Sequence, residues 1–82
     1  MFYVYVLYSK EYDKFYIGFT SNLEARVAHH NHPKNKGWTA RYQPWAQAYH
    51  ESFETKGEAM IREKQLKSAQ GRKFIRSILS SF

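Results

Sequence analysis

The first twenty residues contain two segments rich in aromatic and β-branched side chains, joined by a polar link. The first segment spans Phe2 to Tyr8, and the second spans Phe15 to Thr20. Residues of these types favour strands, and the short polar stretch between them is typical of a turn. The sequence therefore predicts a β-hairpin. In any antiparallel register that pairs odd positions with even ones, Tyr5 and Tyr16 project from the same face of this hairpin.

A capping pattern follows the hairpin directly. Ser21 and Glu24 have the spacing of a capping box, in which each side chain bonds the backbone N–H of the other residue. The pattern predicts a helix from about Leu23 to Asn31. On that helix Arg26 and His30 lie one turn apart, on the same side as its apolar residues.

The same pattern recurs at Thr55 and Glu58, and it predicts a second helix from about Lys56 to Ser68. Gly71 is expected to break this helix, and a last helix follows with an apolar stripe. Glu63 falls among the positions of the second helix that are expected to face inward. Those positions are Ala59, Met60 and Leu66.

Between the first two helices, residues 31–44 contain two prolines and a glycine, which indicates a long loop. Trp45 to Phe53 is apolar and aromatic enough for a third strand. The predicted order is therefore β-β-α-β-α-α, an α+β fold with a small three-stranded antiparallel sheet and helices packed against it. At 82 residues and without cysteine, the chain is expected to form a single domain, residues 1–82, around one core.

The formal charge of +6 favours a polyanionic partner such as DNA or RNA. No apolar stretch approaches the length needed to span a bilayer, so no membrane partner and a cytoplasmic location are expected. Basic residues in the loop and in the C-terminal third are candidates for phosphate contacts, with Trp38 or Tyr42 as candidates for stacking on a base. These basic residues are Lys34, Lys36, Arg41, Lys64, Lys67, Arg72, Lys73 and Arg76.

Two phenols, a guanidinium, an imidazole and a carboxylate can converge in such a fold. The Glu63 carboxylate suits one hard cation, Mg²⁺ or Mn²⁺, whose other positions water and a phosphate would fill. Arg26 could stabilise charge on that phosphate, while a tyrosine or His30 helps to move a proton. Each residue also has an ordinary structural interpretation: Tyr5 and Tyr16 as packing residues, and Glu63 as the ion-pair partner of a lysine four positions later.

The spacing of these residues resembles the signature of the GIY-YIG nuclease family. The resemblance rests on Val4-Tyr5-Val6, then Tyr16-Ile17-Gly18, followed by Arg26, His30 and Glu63. The chain is most similar to the small standalone bacterial members, over nearly its whole length, including the loop Thr39-Ala40-Arg41. The resemblance implies that Tyr5, Tyr16, Arg26, His30 and Glu63 are the catalytic residues, that Glu63 binds the metal, and that Thr39 belongs to the nucleic-acid-binding loop.

The same resemblance implies an endonuclease that hydrolyses phosphodiester bonds, in DNA rather than RNA, with low sequence specificity. Repair and recombination are the settings in which larger family members act. Ile75 stands where larger catalytic members carry an asparagine, so a binding module with the same fold and little cleavage is an alternative. A third possibility is a structural or protein-interaction domain. A homodimer could make both cuts of a double-strand break, and a separate targeting protein could supply specificity.

Overall fold

The computed structural model describes residues 1–81 of the chain. Within that part, the elements follow the predicted order β-β-α-β-α-α, with one additional 3₁₀ helix, and the α+β class is confirmed. In chain order they are β1 (Phe2–Ser9), β2 (Lys14–Thr20), α1 (Leu23–His30), the 3₁₀ helix (Thr39–Tyr42), β3 (Ala46–Phe53), α2 (Lys56–Lys67) and α3 (Ala69–Leu79).

The strands form one antiparallel sheet in the order β2-β1-β3, so β1 is central and β2 is an edge strand. Tyr5 pairs with Gly18 and Leu7 pairs with Tyr16, which places odd positions of β1 opposite even positions of β2. This register confirms that Tyr5 and Tyr16 project from the same face. Their ring centroids lie 6.3 Å apart.

Alternate residues of the strands form two different cores on the two faces of the sheet. One, called the aliphatic face after its fully buried residues, packs against α2 and α3. It buries Val4, Val6, Ile17, Ala59, Leu66, Ile75 and Leu79, with Phe2, Tyr8, Phe15, Phe19, Ala48, Tyr49 and Phe53 partly buried around them. The other, the aromatic face, packs against α1 and contains Tyr5, Leu7 and Trp45, with Tyr16, Leu23, Val27 and Tyr42 partly buried around them. The period of two along β1 thus places the fully buried Val4 and Val6 on one face and Tyr5 and Leu7 on the other.

The N-cap of α1 is Asn22, not Ser21. The Asn22 side chain accepts a hydrogen bond from the backbone N–H of Ala25 at 3.1 Å. Thr20 holds the preceding turn, since its hydroxyl oxygen accepts from the Asn22 N–H at 3.1 Å. The capping box predicted from Ser21 is therefore wrong by one position, because an asparagine caps a helix as well as a serine does.

The second capping box is confirmed. The Thr55 hydroxyl accepts from the Glu58 N–H at 3.2 Å, and the Glu58 carboxylate accepts from the Thr55 N–H at 3.2 Å. Ala59 and Leu66 of α2 are buried as predicted. Met60 is not: its side chain is 44% exposed, because it lies to the outer side of the stripe that contacts the sheet.

The break between α2 and α3 occurs at Ser68, and the prediction that Gly71 ends the second helix is wrong. Ser68 adopts an extended conformation, closes α2 and caps α3 through a hydrogen bond from the Gly71 N–H to its hydroxyl. Gly71 lies inside α3, where a Cβ would collide with the backbone of Gln65 and Leu66. The glycine therefore serves the close approach of the two helices.

Side-chain hydrogen bonds fix the ends of the long loop that follows α1. The Asn31 amide group bonds the Trp45 backbone twice, accepting from its N–H at 2.6 Å and donating to its carbonyl at 2.8 Å. Gln43 donates to the carbonyl of His30 at 2.8 Å. These bonds close the loop over the aromatic face.

Among residues 1–81, no helix combines the length and the apolar character that crossing a bilayer requires.

Candidate active site

A cavity of about 450 Å³ opens at the β2 edge of the sheet. Both helical layers reach it, because α1 comes from the aromatic face and α2 from the aliphatic face. Polar and charged groups therefore meet where the two cores end. The lining residues are Phe2, Tyr5, Tyr16, Gly18, Phe19, Thr20, Ser21, Arg26, Lys56 and Glu63. Four of the five predicted catalytic residues are in this set, and the fifth, His30, lies behind them.

Gly18 allows the Tyr5 ring to reach the cavity. A Cβ on Gly18 would lie 2.5 Å from the Tyr5 hydroxyl oxygen and 2.7 Å from Cζ, closer than any packed side chain allows. The Tyr5 ring consequently crosses over the neighbouring strand at this glycine. This explains physically why the second tyrosine segment has a glycine two positions after Tyr16.

His30 holds the Tyr5 phenol from behind. Its Nε2 lies 3.1 Å from the Tyr5 hydroxyl oxygen, and its ring centroid is 4.7 Å from that of Tyr16. His30 is only 5% exposed, and its Nδ1 has no hydrogen-bond partner within residues 1–81. The imidazole therefore orients both phenols but does not itself line the cavity.

Burial governs the protonation of this pair. It raises the pKa of the Tyr5 phenol, and the nearby Tyr16 raises this pKa further, while the Arg26 charge opposes both and Glu63 adds to them. Burial lowers the pKa of His30, helped by the charges of His29 and Arg26. Tyr5 and His30 are therefore both neutral near pH 7.

Arg26 reaches the cavity from α1. The helix is anchored by Leu23 and Val27, which pack on the aromatic face, and Arg26 lies on the adjoining side. Within residues 1–81 Arg26 forms no ion pair, so its guanidinium remains available to an anion that enters the cavity. A planar guanidinium of this kind suits bidentate contacts to a phosphate.

Glu63 reaches the cavity from the opposite layer. Ala59 and Leu66 hold α2 against the sheet, and Glu63 lies at the rim of that contact with 18% of its side chain exposed. Its carboxylate is 3.6 Å from the Lys67 ammonium group. The ordinary interpretation of Glu63 as an ion-pair partner is thus correct, and the residue faces the cavity as well.

The residues present suit a hard divalent ion with few protein ligands. Glu63 is the one acidic residue among the described residues that line the cavity, and residues 1–81 contain no cluster of three or more His, Asp or Glu side chains. Mg²⁺ is commonly bound through one or two carboxylates, keeping water and taking phosphate oxygens. Zinc, which takes three or four protein ligands, does not suit this set.

The predicted phosphate-binding residues fall in two groups. Lys34, Lys36 and Arg41 are exposed on the loop. The predicted basic residues on α2 and α3 are also exposed, yet three of them make internal contacts. Lys67 pairs with Glu63, Arg76 pairs with Asp13 at 2.7 Å, and the Arg72 and Arg76 guanidinium groups lie 5.7 and 4.9 Å from the Phe15 ring centroid. The remaining basic residues of this group are Lys64 and Lys73.

Thr39 is buried, with 8% of its surface exposed. Its hydroxyl accepts from the Asn35 side chain at 2.9 Å, and its carbonyl accepts from the Trp45 indole N–H at 2.8 Å. These contacts indicate a structural role for Thr39 in holding the 3₁₀ helix. Trp38 is 45% exposed, with its ring centroid 6.4 Å from that of Tyr16, whereas Trp45 belongs to the core.

A model of the GIY-YIG catalytic domain matches residues 1–75 of the chain. The chain belongs to the GIY-YIG family. Nuclease-type activity on nucleic acid is the general activity of this superfamily, and its members generally use divalent metal ions.

Relatives of similar size support this assignment. The chain is 41% identical to a UPF0213 protein of Staphylococcus haemolyticus over 66 residues, which cover 80% of this chain and 79% of the relative. It is 40% identical to a UPF0213 protein of Clostridium perfringens over 67 residues, covering 82% and 71%. The solution NMR structure of a UPF0213 protein from Bacillus halodurans superposes with a TM-score of 0.55 at 28% identity, covering 95% of this chain and 85% of that one. Small standalone GIY-YIG proteins are therefore the group to which it is similar.

Ile75, which was expected to stand in place of an asparagine, does not line the cavity. Its side chain is fully buried in the aliphatic core, in the same cluster as Val4, Val6 and Leu66. In this chain, position 75 therefore contributes to packing. An asparagine there would place an amide among aliphatic side chains.

Lys56 is the charged residue of the cavity lining that was not predicted as a site residue. It lies at the first position of α2, directly after the Thr55 cap, and exposed lysines at such positions are ordinarily solvated. Its separation of seven residues from Glu63 was the available signal, since seven residues make two helical turns and return to the same face.

Proposed function

We propose that this GIY-YIG protein is a divalent-metal-dependent endonuclease that hydrolyses phosphodiester bonds in DNA, with low intrinsic sequence specificity. The observation that carries the proposal is the meeting of Arg26, Glu63 and the two phenols of Tyr5 and Tyr16 around one open cavity. An unpaired guanidinium, a carboxylate and hydroxyl groups are the set that phosphoryl chemistry requires.

Glu63 would hold the metal ion, Mg²⁺ or Mn²⁺. Once bound, this ion would supply Lewis-acid stabilisation of the charge that develops on the phosphate oxygens. Lys67 would have to leave Glu63 for this to happen. Its 3.6 Å ion pair is partly exposed and correspondingly weak, so it is readily exchanged.

Arg26 binds the scissile phosphate in this proposal. Because α1 and α2 approach the cavity from opposite layers, Arg26 would contact the phosphate from one side, and Glu63 would hold the cation on the other. The guanidinium stays protonated at any working pH, and it stabilises negative charge without giving up a proton.

The two phenols have different roles. Tyr5 is almost fully buried, and its raised pKa keeps it protonated, so it positions water or a phosphate oxygen by hydrogen bonding while His30 holds its hydroxyl. Tyr16 is partly exposed at the cavity and, as the phenolate, is the better placed of the two to accept the proton of the attacking water. The water oxygen forms a bond to phosphorus, the bond to the leaving ester oxygen breaks, and that oxygen takes up a proton from solvent.

The test is plasmid cleavage with Mg²⁺, Mn²⁺ or EDTA, comparing the wild type with Glu63→Gln. Glu54→Gln is the matched control, since Glu54 is an exposed carboxylate outside the cavity. We expect metal-dependent cutting in the wild type and the control, and none in Glu63→Gln. Equal cutting by Glu63→Gln and the wild type would refute the assignment of Glu63.

Binding without cleavage is the second candidate function, and the Glu63–Lys67 ion pair favours it, because this pair competes with a metal. In that case all three proteins bind DNA with the same steep salt dependence and none cuts in either metal. An increase in Mn²⁺ affinity on removing Lys67 would then show whether the ion pair is the obstacle.

A further inference from the structure

Helix α2 carries a line of charged residues on one side. Lys56, Glu63 and Lys67 are separated by seven and four residues, which places them within about 40° of one another around the helix axis. Along the axis, Lys56 lies about 10 Å before Glu63, and Lys67 about 6 Å after it. The proposed metal ligand is therefore flanked by one lysine on each side.

Among the described residues Lys56 has no acidic partner, unlike Arg62 and Lys67 of the same helix. Within residues 1–81, Lys67 pairs with Glu63 and Arg62 pairs with Glu51, whereas Lys56 forms no ion pair. The nearest acidic residue on the helix, Glu58, is engaged in the capping box, where its carboxylate accepts from the Thr55 N–H and hydroxyl. Lys56 is nevertheless part of the cavity wall together with Arg26 and Glu63.

Two cations on separate elements suit two phosphates better than one. Arg26 enters the cavity from α1 and Lys56 from the beginning of α2, and the one carboxylate of the wall lies two turns further along α2. A single phosphate between Arg26 and Glu63 leaves Lys56 unsatisfied. A nucleic-acid strand that continues toward the beginning of α2 brings its next phosphate to that lysine.

We infer that Lys56 binds the backbone phosphate adjacent to the scissile one, so that the substrate strand runs along α2 from Lys56 past Glu63 toward Lys67. This inference rests on the proposed nuclease function, because it takes the phosphate at Arg26 as the one that is cut. Lys56 is a positioning residue that contacts the strand without touching the reacting atoms. Lys67 joins the track when it leaves Glu63.

Short thymidine oligonucleotides of two, three and four nucleotides test the inference, because they present one, two and three phosphates and allow few binding registers. Their affinities are measured in EDTA by NMR titration, for the wild type and for Lys56→Met. Lys10→Met is the matched control, since Lys10 is an exposed lysine in the β1–β2 turn, away from the cavity.

In the wild type and in Lys10→Met, the second phosphate should tighten binding about three- to fivefold, the range expected for an exposed charge pair. Lys56→Met should bind the dinucleotide normally and lose this gain. On longer DNA its salt dependence should fall by about one counterion. An unchanged gain in Lys56→Met, or an equal loss in Lys10→Met, overturns the inference.

A third variant, Arg26→Met, separates this inference from the proposed function. If Arg26→Met loses dinucleotide binding while Lys56→Met keeps the gain from the second phosphate, only the role of Lys56 is refuted. If the gain depends on Lys56 but no metal supports plasmid cleavage, strand binding at Lys56 is supported and the nuclease function is refuted. Circular dichroism melting of each variant verifies that the fold is intact.

Discussion

The two faces of the central strand β1 bury different side chains, although they alternate residue by residue. Val4 and Val6 point into a core whose fully buried residues include no titratable group, while Tyr5 points into an aromatic core beside His30 and the cavity. Aliphatic packing stabilises the sheet without directing any chemistry. The aromatic face also packs, but its Tyr5 and Tyr16 side chains line the cavity at the β2 edge, where a ligand can reach them, with the His30 imidazole behind. Stability and chemistry are thus divided between the faces, and substitutions should separate them.

The largest effect is expected on the aliphatic face, from Ile75→Asn. An amide buried without a partner, together with the lost packing, should lower the free energy of unfolding by roughly 3 to 5 kcal/mol. That is a large share of the about 4 to 12 kcal/mol expected for a domain of this size. Urea denaturation measures the loss, and Ile75→Val, which should cost about 1 kcal/mol, is the control. A stable Ile75→Asn protein with enhanced cleavage would show instead that position 75 belongs to the site.

On the aromatic face, Arg26→Met should have a large effect on activity and little on stability. Losing the phosphate-binding guanidinium is expected to reduce kcat about 100-fold, the size seen when one preorganised stabilising group is removed. The urea midpoint should stay close to that of the wild type, since Arg26 forms no ion pair within residues 1–81. Single-turnover cleavage measures the rate. If Arg26→Met lowered both the free energy of unfolding and the cleavage rate, substitutions would not separate stability from chemistry in the way proposed.

Gly18→Ala tests whether the packing of the Tyr5 ring affects cleavage as well as stability. The added methyl group would displace the Tyr5 ring, and we expect a loss of about 1 to 3 kcal/mol in the free energy of unfolding together with slower cleavage. Gly57→Ala is the matched control, because a Cβ on Gly57 meets nothing within 4 Å. Gly57→Ala should leave the free energy of unfolding unchanged or raise it slightly, because alanine is the better helix former. Normal cleavage by Gly18→Ala would show that the position of the Tyr5 ring is not critical.

Removing Lys67 tests whether its ammonium group competes with a metal ion for the Glu63 carboxylate. In Lys67→Met the Glu63 carboxylate loses its competing cation, so its affinity for Mn²⁺ should rise about two- to fivefold, in line with a partly exposed ion pair. Mn²⁺ binding followed by electron paramagnetic resonance measures this without any need for activity. An affinity equal to that of the wild type would exclude Lys67 as a competitor.

The smallest effect is a pH dependence that originates on the aromatic face. The pKa of His30 is lowered in the folded protein, so below the ordinary histidine pKa of 6.5 the unfolded chain takes up a proton first. Stability should therefore fall as the pH drops below 6.5 and be fully present above it. Urea midpoints at several pH values for the wild type, His30→Gln and His29→Gln measure this. If His30→Gln kept the full slope, another group would be responsible.

Local patterns predicted most of the fold because their physics is local. The alternation in β1 and β2 placed Tyr5 and Tyr16 on one face, and the Thr55–Glu58 spacing marked the beginning of α2. Where two local options were equivalent, the prediction was wrong. Asn22 rather than Ser21 caps α1, because both residues can accept the same hydrogen bond and the preceding turn decides between them.

Long-range packing decided what the patterns could not. Gly71 has the composition of a helix breaker, yet it lies inside α3, because only a residue without Cβ fits against the end of α2. Trp38 and Trp45 are the same residue type seven positions apart. One is exposed and the other is buried, since the hydrogen bonds of Asn31 fix Trp45 to the sheet.

The sequence by itself determined the strand alternation and the helix starts, because these depend on neighbours within one turn or one strand pair. It also determined which side chains are chemically able to bind a phosphate or a cation. Only the tertiary structure decided that Arg26, Glu63 and Lys56 share one cavity. Their meeting requires α1 and α2 to cross opposite faces of the sheet and reach the same edge. Such an arrangement depends on packing between residues thirty or more positions apart, for which no local pattern carries a signal.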